Sequence, residues 1–216
     1  KMLVDEIGID LSNWKNLLEA GEPATLEGFH KAVVDQNQRN SIFVDITANA
    51  DVADMYGKYL KQSVAVVACN KIAAASEFKN YSELKRLSKA YNAPLLFETN
   101  VGAGLPIIDT LNNLIASGDR VNRIQAVLSG SLNFVFNNFK SGDSFHDVVQ
   151  AAKAEGFTEP DPRIDLSGVD VARKILILAR ESGLKINLED IENEPFLTEN
   201  NLNSSDVPHF FETLKE

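Results

Sequence analysis

The stretch that carries the most chemically useful side chains is 157–180, FTEPDPRIDLSGVDVARKILILAR. Within it Asp170 and Lys174 are four residues apart, so they share one face if the segment is helical. An ammonium group held by a carboxylate can donate a proton, or stabilise negative charge that develops on an oxygen atom. Four carboxylates and three cations fall within 16 residues here: Glu159, Asp161, Asp165, Asp170, Arg163, Arg173 and Lys174.

The Asp170–Lys174 pair has two interpretations. It could be an ion pair on a solvated helix surface, which would contribute about 0.3–0.5 kcal/mol. However, Lys174 is followed by Ile-Leu-Ile-Leu, which predicts a helix that is apolar over much of its circumference and largely buried. A buried lysine is costly unless it is paired, and it is a common site of proton chemistry. The neighbouring residues therefore weigh against a purely structural surface pair, and both interpretations stay open.

An acidic loop and a helix are predicted to position these side chains. Pro160 and Pro162 each remove a backbone donor, so the first half of the stretch cannot be helical throughout. The second half predicts a helix with Ser167 as its N-cap and Asp170 as the acid of a capping box. Its apolar residues recur at helical spacing: Val171, Ile175, Leu178 and Ala179.

The first half of the chain alternates short apolar runs with helical patterns. The runs are 41–46, 64–68 and 94–97, and helices are predicted at 52–61 and 78–90. This alternation predicts an open α/β domain with a parallel sheet and right-handed crossovers. Ligands bind such sheets at the carboxyl ends of the strands. The exit segments should therefore share one rim: Thr47, Asn70, Lys71 and Glu98–Gly104.

Further elements are predicted on both sides of this region. Separate helices are expected at 10–20, at 25–35, from Pro106 onward, after Asn133 through Phe139, and at 144–154. The run Arg123–Leu128 alternates in part, which predicts a half-exposed or edge strand. After Gly183 the chain is polar and acidic, so loops with one or two short helices are expected.

The loop NVGAGLP at 100–106 suits either a tight strand-to-helix turn or a cation site. Gly102 and Gly104 permit unusual backbone angles, which leaves carbonyl oxygens without a strand partner. Such oxygens could face a hard cation, with Glu98 adding a formal charge. The sequence GxGxxG, which cradles a dinucleotide in many α/β proteins, does not occur in the chain.

Composition argues against several classes of partner. The 216 residues include 21 Lys and Arg against 31 Asp and Glu, a net charge of −10, which disfavours nucleic acid and anionic membrane surfaces. The apolar runs are too short for a membrane span. The single cysteine, Cys69, excludes an internal disulfide and suits a reducing compartment, so a cytoplasmic protein is expected.

Nearly the whole chain resembles homoserine dehydrogenase, above all the dehydrogenase half of bifunctional aspartokinase–homoserine dehydrogenases. The last two matching stretches are long enough to be specific. The stretches are VDITANA (44–50), ACNK (68–71), ETNVGAGLPIIDTL (98–111), LSGSLNFVF (128–136) and GFTEPDPRIDLSGVDVARKILILARESG (156–183).

The resemblance implies reversible reduction of aspartate semialdehyde to homoserine with NAD or NADP, in the biosynthesis of threonine and methionine. It implies an incomplete Rossmann-like dinucleotide-binding domain at 1–105. A partial α+β domain at 106–216 would bind substrate, carry out catalysis and form a homodimer or higher homo-oligomer.

The resemblance also implies a role for each matching residue. The catalytic residues would be Lys174, Lys71 and Asp170, while Glu159 and Asp165 would hold the substrate's ammonium group. The nicotinamide would be lined by Thr47, Asn70, Lys71 and Gly130, and a sodium ion would be bound by Glu98, Val101, Ala103 and Leu105.

The chain departs from the family pattern in two ways. Ile164 stands where the family often has the first of two adjacent acids. The first strand with its GxGxxG turn and a C-terminal segment are not in the sequence, so we expect a piece of a longer polypeptide that could be inactive by itself. Two alternatives remain open: a non-catalytic interaction domain with structural ion pairs, and an α/β oxidoreductase acting on a different amino-acid aldehyde.

Overall fold

The computed structural model describes residues 1–215, which divide into two compact units. The first unit consists of Lys1–Ala74 and Lys79–Phe97, and the second of Ala75–Phe78 and the chain from Glu98 onward. The chain therefore passes between the units three times. No helix among the described residues is long and apolar enough to cross a membrane.

The first unit is built on a parallel sheet of three strands in the order β1-β2-β3. Partner residues in the sheet include Val44 with Val67 and Val67 with Leu96. The elements in chain order are α1 (Trp14–Glu19), α2 (Leu26–Asp35), β1 (Ile42–Asp45), α3 (Ala50–Asp54), α4 (Tyr56–Lys61), β2 (Ala65–Ala68), α5 (Ile72–Ala75), α6 (Phe78–Ala90) and β3 (Leu95–Leu96).

The core of this unit lies on one side of the sheet. Tyr59 and Leu60 of α4 and Val66 of β2 are buried, and Phe43 stacks on Tyr59 with ring centroids 4.1 Å apart. On β1, Ile42 and Val44 remain 60% and 57% exposed. One face of the sheet is therefore apolar and open, although parallel sheets are usually covered on both faces.

The predicted α/β alternation is confirmed, with small changes in the bounds of the elements. The helix predicted at 52–61 is two short helices that meet at Met55, where hydrogen bonds of the i to i+3 kind tighten the turn. The helix predicted from residue 10 begins at Trp14, because the Asp10 carboxylate accepts the backbone N–H of Ser12 and holds a turn.

The second unit is helical and has one apolar core. Val135, Val149 and Leu166 are fully buried in it, together with Phe210 near the end of the chain. The elements are a 3₁₀ turn at Glu98–Asn100, α7 (Ile107–Ala116), α8 (Gly130–Asn138), α9 (Phe145–Ala154), α10 (Pro162–Leu166), α11 (Val169–Glu181), a 3₁₀ turn at Leu188–Asp190, α12 (Glu199–Leu202) and α13 (Val207–Thr213).

Two predictions for this unit are wrong. Residues Arg123–Leu128 do not form a strand, because no second strand lies beside them in the described part of the chain to complete a hydrogen-bond ladder. Ser167 is not the N-cap of the long helix, because Ser167 ends α10 and Gly168 opens α11 with a φ of 79° and no side-chain cap.

Candidate active site

Lys174 lies on α11, where its ammonium group has two partners at short range. Its Nζ is 2.7 Å from Asp170 Oδ2, one helical turn earlier, and donates to the carbonyl oxygen of Leu128 at 2.7 Å. The Lys174 side chain is only 16% exposed and that of Asp170 31% exposed. The pair is thus not a solvated surface ion pair, since the ammonium is both oriented and largely removed from water.

A cavity of about 360 Å³ opens beside this ammonium. Three of its lining residues are predicted site residues. Lys174 is predicted to be catalytic, Gly130 to line the nicotinamide and Ala103 to bind sodium. The other five lining residues, among them Leu128, Ser129 and Asn133, are not among the predicted site residues. The full lining is Gly102, Ala103, Val127, Leu128, Ser129, Gly130, Asn133 and Lys174.

The first turn of α8 meets this cavity. Ser129 is extended, is buried, and its Oγ accepts the backbone N–H of Leu132 at 3.1 Å, which makes it the N-cap. A serine directly before an apolar helical run is a recognisable cap signal in sequence. The helix therefore begins at Gly130, with its amino end beside Lys174.

The acidic loop is organised by Asp165. Its Oδ1 accepts the hydroxyl of Ser131 at 2.7 Å, and its Oδ2 accepts the backbone N–H of Glu159 at 2.8 Å. The two acids predicted to bind an ammonium group are thus tied to each other. The Glu159 side chain itself is exposed.

Asp161 plays a structural part in the same loop. It caps α10 by accepting the N–H of Arg163, and its Oδ2 lies 2.6 Å from Nη2 of that arginine. Hydrogen bonding from the Arg163 guanidinium holds the pKa of Asp161 below its ordinary value. Arg163 also donates to the carbonyl oxygen of Ser204, which anchors the loop to the segment between α12 and α13.

In the first unit the strand exits meet at Asp45, which is 1% exposed. Its carboxylate accepts the hydroxyl of Tyr56 at 2.5 Å, the amide of Asn70 at 3.0 Å and the N–H of Thr47 at 2.7 Å. Burial by itself would raise the pKa of Asp45, but these hydrogen bonds outweigh it and hold the pKa below its ordinary value. Burial and the Asp45 carboxylate raise the pKa of the Tyr56 hydroxyl.

Asn70 is therefore a structural tie as well as a predicted cofactor residue. Its amide also donates to the carbonyl oxygen of Asn49 at 2.9 Å, and its Oδ1 accepts the N–H of Ile72 at 3.0 Å. Thr47 and Lys71 follow β1 and β2 at the same end of the sheet, as predicted. Lys71 belongs to the first unit and Lys174 to the second.

Glu98 acts as a cap on α7, because its two carboxylate oxygens accept the N–H groups of Ile108 and Asp109 at 2.7 and 2.8 Å. The loop that follows contains Ala103 at a φ of 52°.

The carbonyl oxygens of Val101 and Ala103 accept none of the hydrogen bonds that close this turn, so they could face a cation. Among residues 1–215 no group of three or more His, Cys, Asp or Glu side chains is placed to hold a metal ion.

The parallel sheet with helical crossovers places the first unit in the class of open α/β folds, which bind ligands at the carboxyl ends of their strands. Residues 8–98 match the family model of the homoserine dehydrogenase NAD-binding domain, and residues 106–214 match the homoserine dehydrogenase model. The chain belongs to the homoserine dehydrogenase family.

Curated relatives support this assignment. The chain is 44% identical over 218 residues to the chloroplastic bifunctional aspartokinase/homoserine dehydrogenase 2 of Arabidopsis thaliana, covering all of this chain and 24% of that protein. It is 42% identical to the homoserine dehydrogenase of Schizosaccharomyces pombe, covering 82% of this chain and 49% of that one. The chain thus spans about a quarter of the bifunctional relative and about half of the yeast protein.

Solved structures share the fold. A Candida auris protein of unknown function matches with a TM-score of 0.85 and 35% identity, over 95% of this chain and 59% of that one. A hyperthermophilic archaeal homoserine dehydrogenase in complex with NADPH matches with a TM-score of 0.68 and 29% identity, over 81% of this chain and 56% of that one.

Proposed function

We propose that this chain carries the catalytic lysine and substrate-binding residues of an enzyme that reduces aspartate semialdehyde to homoserine with NADH or NADPH. The observation that carries the proposal is the Lys174 ammonium, held by Asp170 and Leu128 beside a cavity of about 360 Å³. Family membership supports the choice of substrate.

Lys174 supplies the proton in this reaction. A bound nicotinamide would supply a hydride to the aldehyde carbon, and the aldehyde oxygen would then carry negative charge. An ammonium group has three N–H donors, and Asp170 and Leu128 use two of them, so one is left for that oxygen. Asp170 keeps the ammonium aimed, and in the reverse direction Lys174 takes the proton back.

Glu159 and Asp165 bind the ammonium group of the substrate in this proposal. Both oxygens of Asp165 already accept one hydrogen bond from the protein. A carboxylate oxygen has two lone pairs, so each can accept a further bond from a substrate N–H. Charge-assisted bonds of this kind are short and directional, which suits recognition of an amino acid.

The cofactor is proposed to bind at the strand exits of the partial dinucleotide-binding domain, residues 1–105. Thr47, Asn70 and Lys71 would line the nicotinamide there, and Gly130 would contribute from the partial substrate domain, residues 106–216. The match of residues 8–98 to an NAD-binding domain supports this assignment. The Asn70 amide is engaged with Asp45 and Asn49, so its main part is to shape the rim.

A sodium site in the loop after Glu98 is part of the proposal, with Val101, Ala103 and Leu105 supplying carbonyl oxygens. The turn geometry supports Val101 and Ala103 most directly. Because both Glu98 carboxylate oxygens cap α7, Glu98 would contribute chiefly negative charge beside the ion. A cytoplasmic homodimer or higher homo-oligomer completes the proposal.

Replacing Lys174 by alanine in the intact protein tests the assignment. We expect kcat/KM for aspartate semialdehyde to fall by roughly 10²–10⁴-fold, the usual contribution of a positioned proton donor, with NAD(P)H affinity unchanged. Steady-state kinetics and calorimetric titration measure the two quantities. Lys185→Ala, which removes an exposed lysine from the same unit, is the matched control.

Turnover near the wild-type rate in Lys174→Ala would show that the lysine assignment is wrong. An intact wild-type protein that binds neither NADH nor NADPH would instead favour the non-catalytic interaction domain. Turnover of a different amino-acid aldehyde would keep the mechanism and change the substrate.

A further inference from the structure

The hydroxyl of Ser131 makes a polar contact across 34 positions of the chain. It donates to Asp165 Oδ1 at 2.7 Å and so links the first turn of α8 to α10. On the opposite side of the same carboxylate, Oδ2 accepts the backbone N–H of Glu159 at 2.8 Å. With one donor on each oxygen, the Asp165 carboxylate is fixed in rotation as well as in place.

Packing of the two helices does not depend on this bond. Val135, one turn after Ser131, and Leu166, next to Asp165, are both fully buried in the same apolar core. Ser131 and Asp165 are only partly buried, so their bond is not required to satisfy a fully desolvated charge. Its distinctive effect is therefore on the orientation of a carboxylate.

The position of Ser131 also connects two parts of the site. It directly follows Ser129 and Gly130, which line the cavity beside Lys174. Through Asp165 it reaches the backbone of Glu159. One hydroxyl thus relates the amino end of α8 to both acids of the loop.

We infer that Ser131 is a positioning residue that sets the affinity for the amino-acid substrate by holding Asp165 towards the substrate's ammonium group. This inference rests on the proposed function. Ser131 acts through Asp165 and takes no proton from the reacting oxygen. Loss of its hydroxyl releases Oδ1, so that Asp165 rotates and the hydrogen bond to the N–H of Glu159 is weakened as well.

Kinetics of Ser131→Ala in the intact protein test this role. We expect KM for homoserine and for aspartate semialdehyde to rise about tenfold, close to the loss of one charge-assisted hydrogen bond. The value of kcat should stay within about twofold and NAD(P)H affinity should not change, because Lys174 and the cofactor contacts are untouched. Ser131→Thr keeps the hydroxyl and should restore KM.

Ser204→Ala is the matched control, since Ser204 is buried and donates to the carbonyl oxygen of Asn201 at 2.7 Å. It removes a structural hydroxyl from the same unit, and it should lower stability without raising KM.

An unchanged KM in Ser131→Ala, or a raised KM that Ser131→Thr fails to restore, would overturn the inference about Ser131. A wild-type protein without homoserine dehydrogenase activity would overturn the proposed function on which it rests.

Discussion

Asp45 shows how a single residue can be hidden from sequence reasoning and still organise a unit. Within IFVDI it reads as an isolated acid in an apolar strand, and attention falls on the polar residues that follow the strand. In the structure the carboxylate is buried and binds Tyr56, Thr47 and Asn70. A buried carboxylate needs donors, and here they come from positions up to 25 residues away.

This arrangement makes folding stability depend on pH. The folded pKa of Asp45 lies below the ordinary value of 3.8 that applies in the unfolded chain. A group with a depressed pKa contributes its full stability above the unfolded pKa and loses it as the pH falls through the folded pKa. We therefore expect unfolding stability to decrease from about pH 5 downward. Asp161 acts in the same direction in the second unit.

Asp45→Asn should flatten this dependence in the first unit. At pH 7 it should also cost roughly 2–4 kcal/mol, because an amide group would face donors in a buried site. Urea unfolding between pH 3 and 7, followed by circular dichroism, measures both effects. Asp54→Asn, an exposed residue nearby, should leave the curve unchanged. Parallel pH curves for wild type and Asp45→Asn would contradict the expectation.

Sequence reasoning found the Asp170–Lys174 pair because helix geometry alone brings residues four apart together. The resemblance identified Glu159 and Asp165 as site residues. The hydrogen bond from the backbone N–H of Glu159 to the Asp165 carboxylate depends on a turn, and Pro160 and Pro162 limit the backbone angles of that turn without specifying it. The contact between Ser131 and Asp165 joins two helices, so no local rule predicts it.

At the scale of elements, the junction between α10 and α11 is the feature that places Lys174. Sequence favoured Ser167 as the cap, since serine is a good N-cap and Asp170 follows three residues later. The chain instead turns through Gly168 at a φ of 79°, and the Asn193 amide donates to the carbonyl oxygen of Ser167 at 2.9 Å. The left-handed backbone of Gly168 therefore begins α11 in place of a side-chain N-cap.

Gly168→Ala should strain this junction twice. A Cβ at this position would lie 2.4 Å from Asn193 Oδ1. The alanine backbone would also have to adopt the left-handed φ of 79° that Gly168 has. Gly183→Ala, just after α11, has a φ of 97° and open space, so it measures the backbone cost alone, about 1 kcal/mol. We expect Gly168→Ala to cost roughly 2 kcal/mol in urea unfolding, because moving the Asn193 side chain also breaks its hydrogen bond to the carbonyl oxygen of Ser167. Equal losses in the two variants would contradict this.

The failed strand prediction at Arg123–Leu128 has a simple physical origin. Alternating side chains give a segment the pattern of a strand, but the strand itself exists through hydrogen bonds to a neighbour. In the structure the carbonyl of Leu128 instead accepts the Lys174 ammonium. The segment thus contributes backbone to the site without forming a sheet.

At the scale of the whole molecule, the chain forms an α/β unit and then a helical unit, as predicted, except that Ala75–Phe78 belong to the second unit and make the chain pass between the units three times. The strand and helix alternation predicted the first unit well, because parallel strands in βαβ units have strong local signals. The second unit was less predictable, because its core joins helices that are far apart in sequence, from α8 to α13. A net charge of −10 is compatible with both units and distinguishes neither.

The open face of the sheet has a practical consequence for the purified protein. Ile42 and Val44 on β1 and Leu96 on β3, the two edge strands of the sheet, expose aliphatic side chains to water, and such surfaces promote association of molecules. We expect slow clouding of concentrated solutions, stronger at high salt, where mutual repulsion of the anionic molecules is screened. Val44→Lys should suppress it in light scattering, whereas Val4→Lys, outside the sheet, should not. Equal scattering from both variants would mean that another surface causes the self-association.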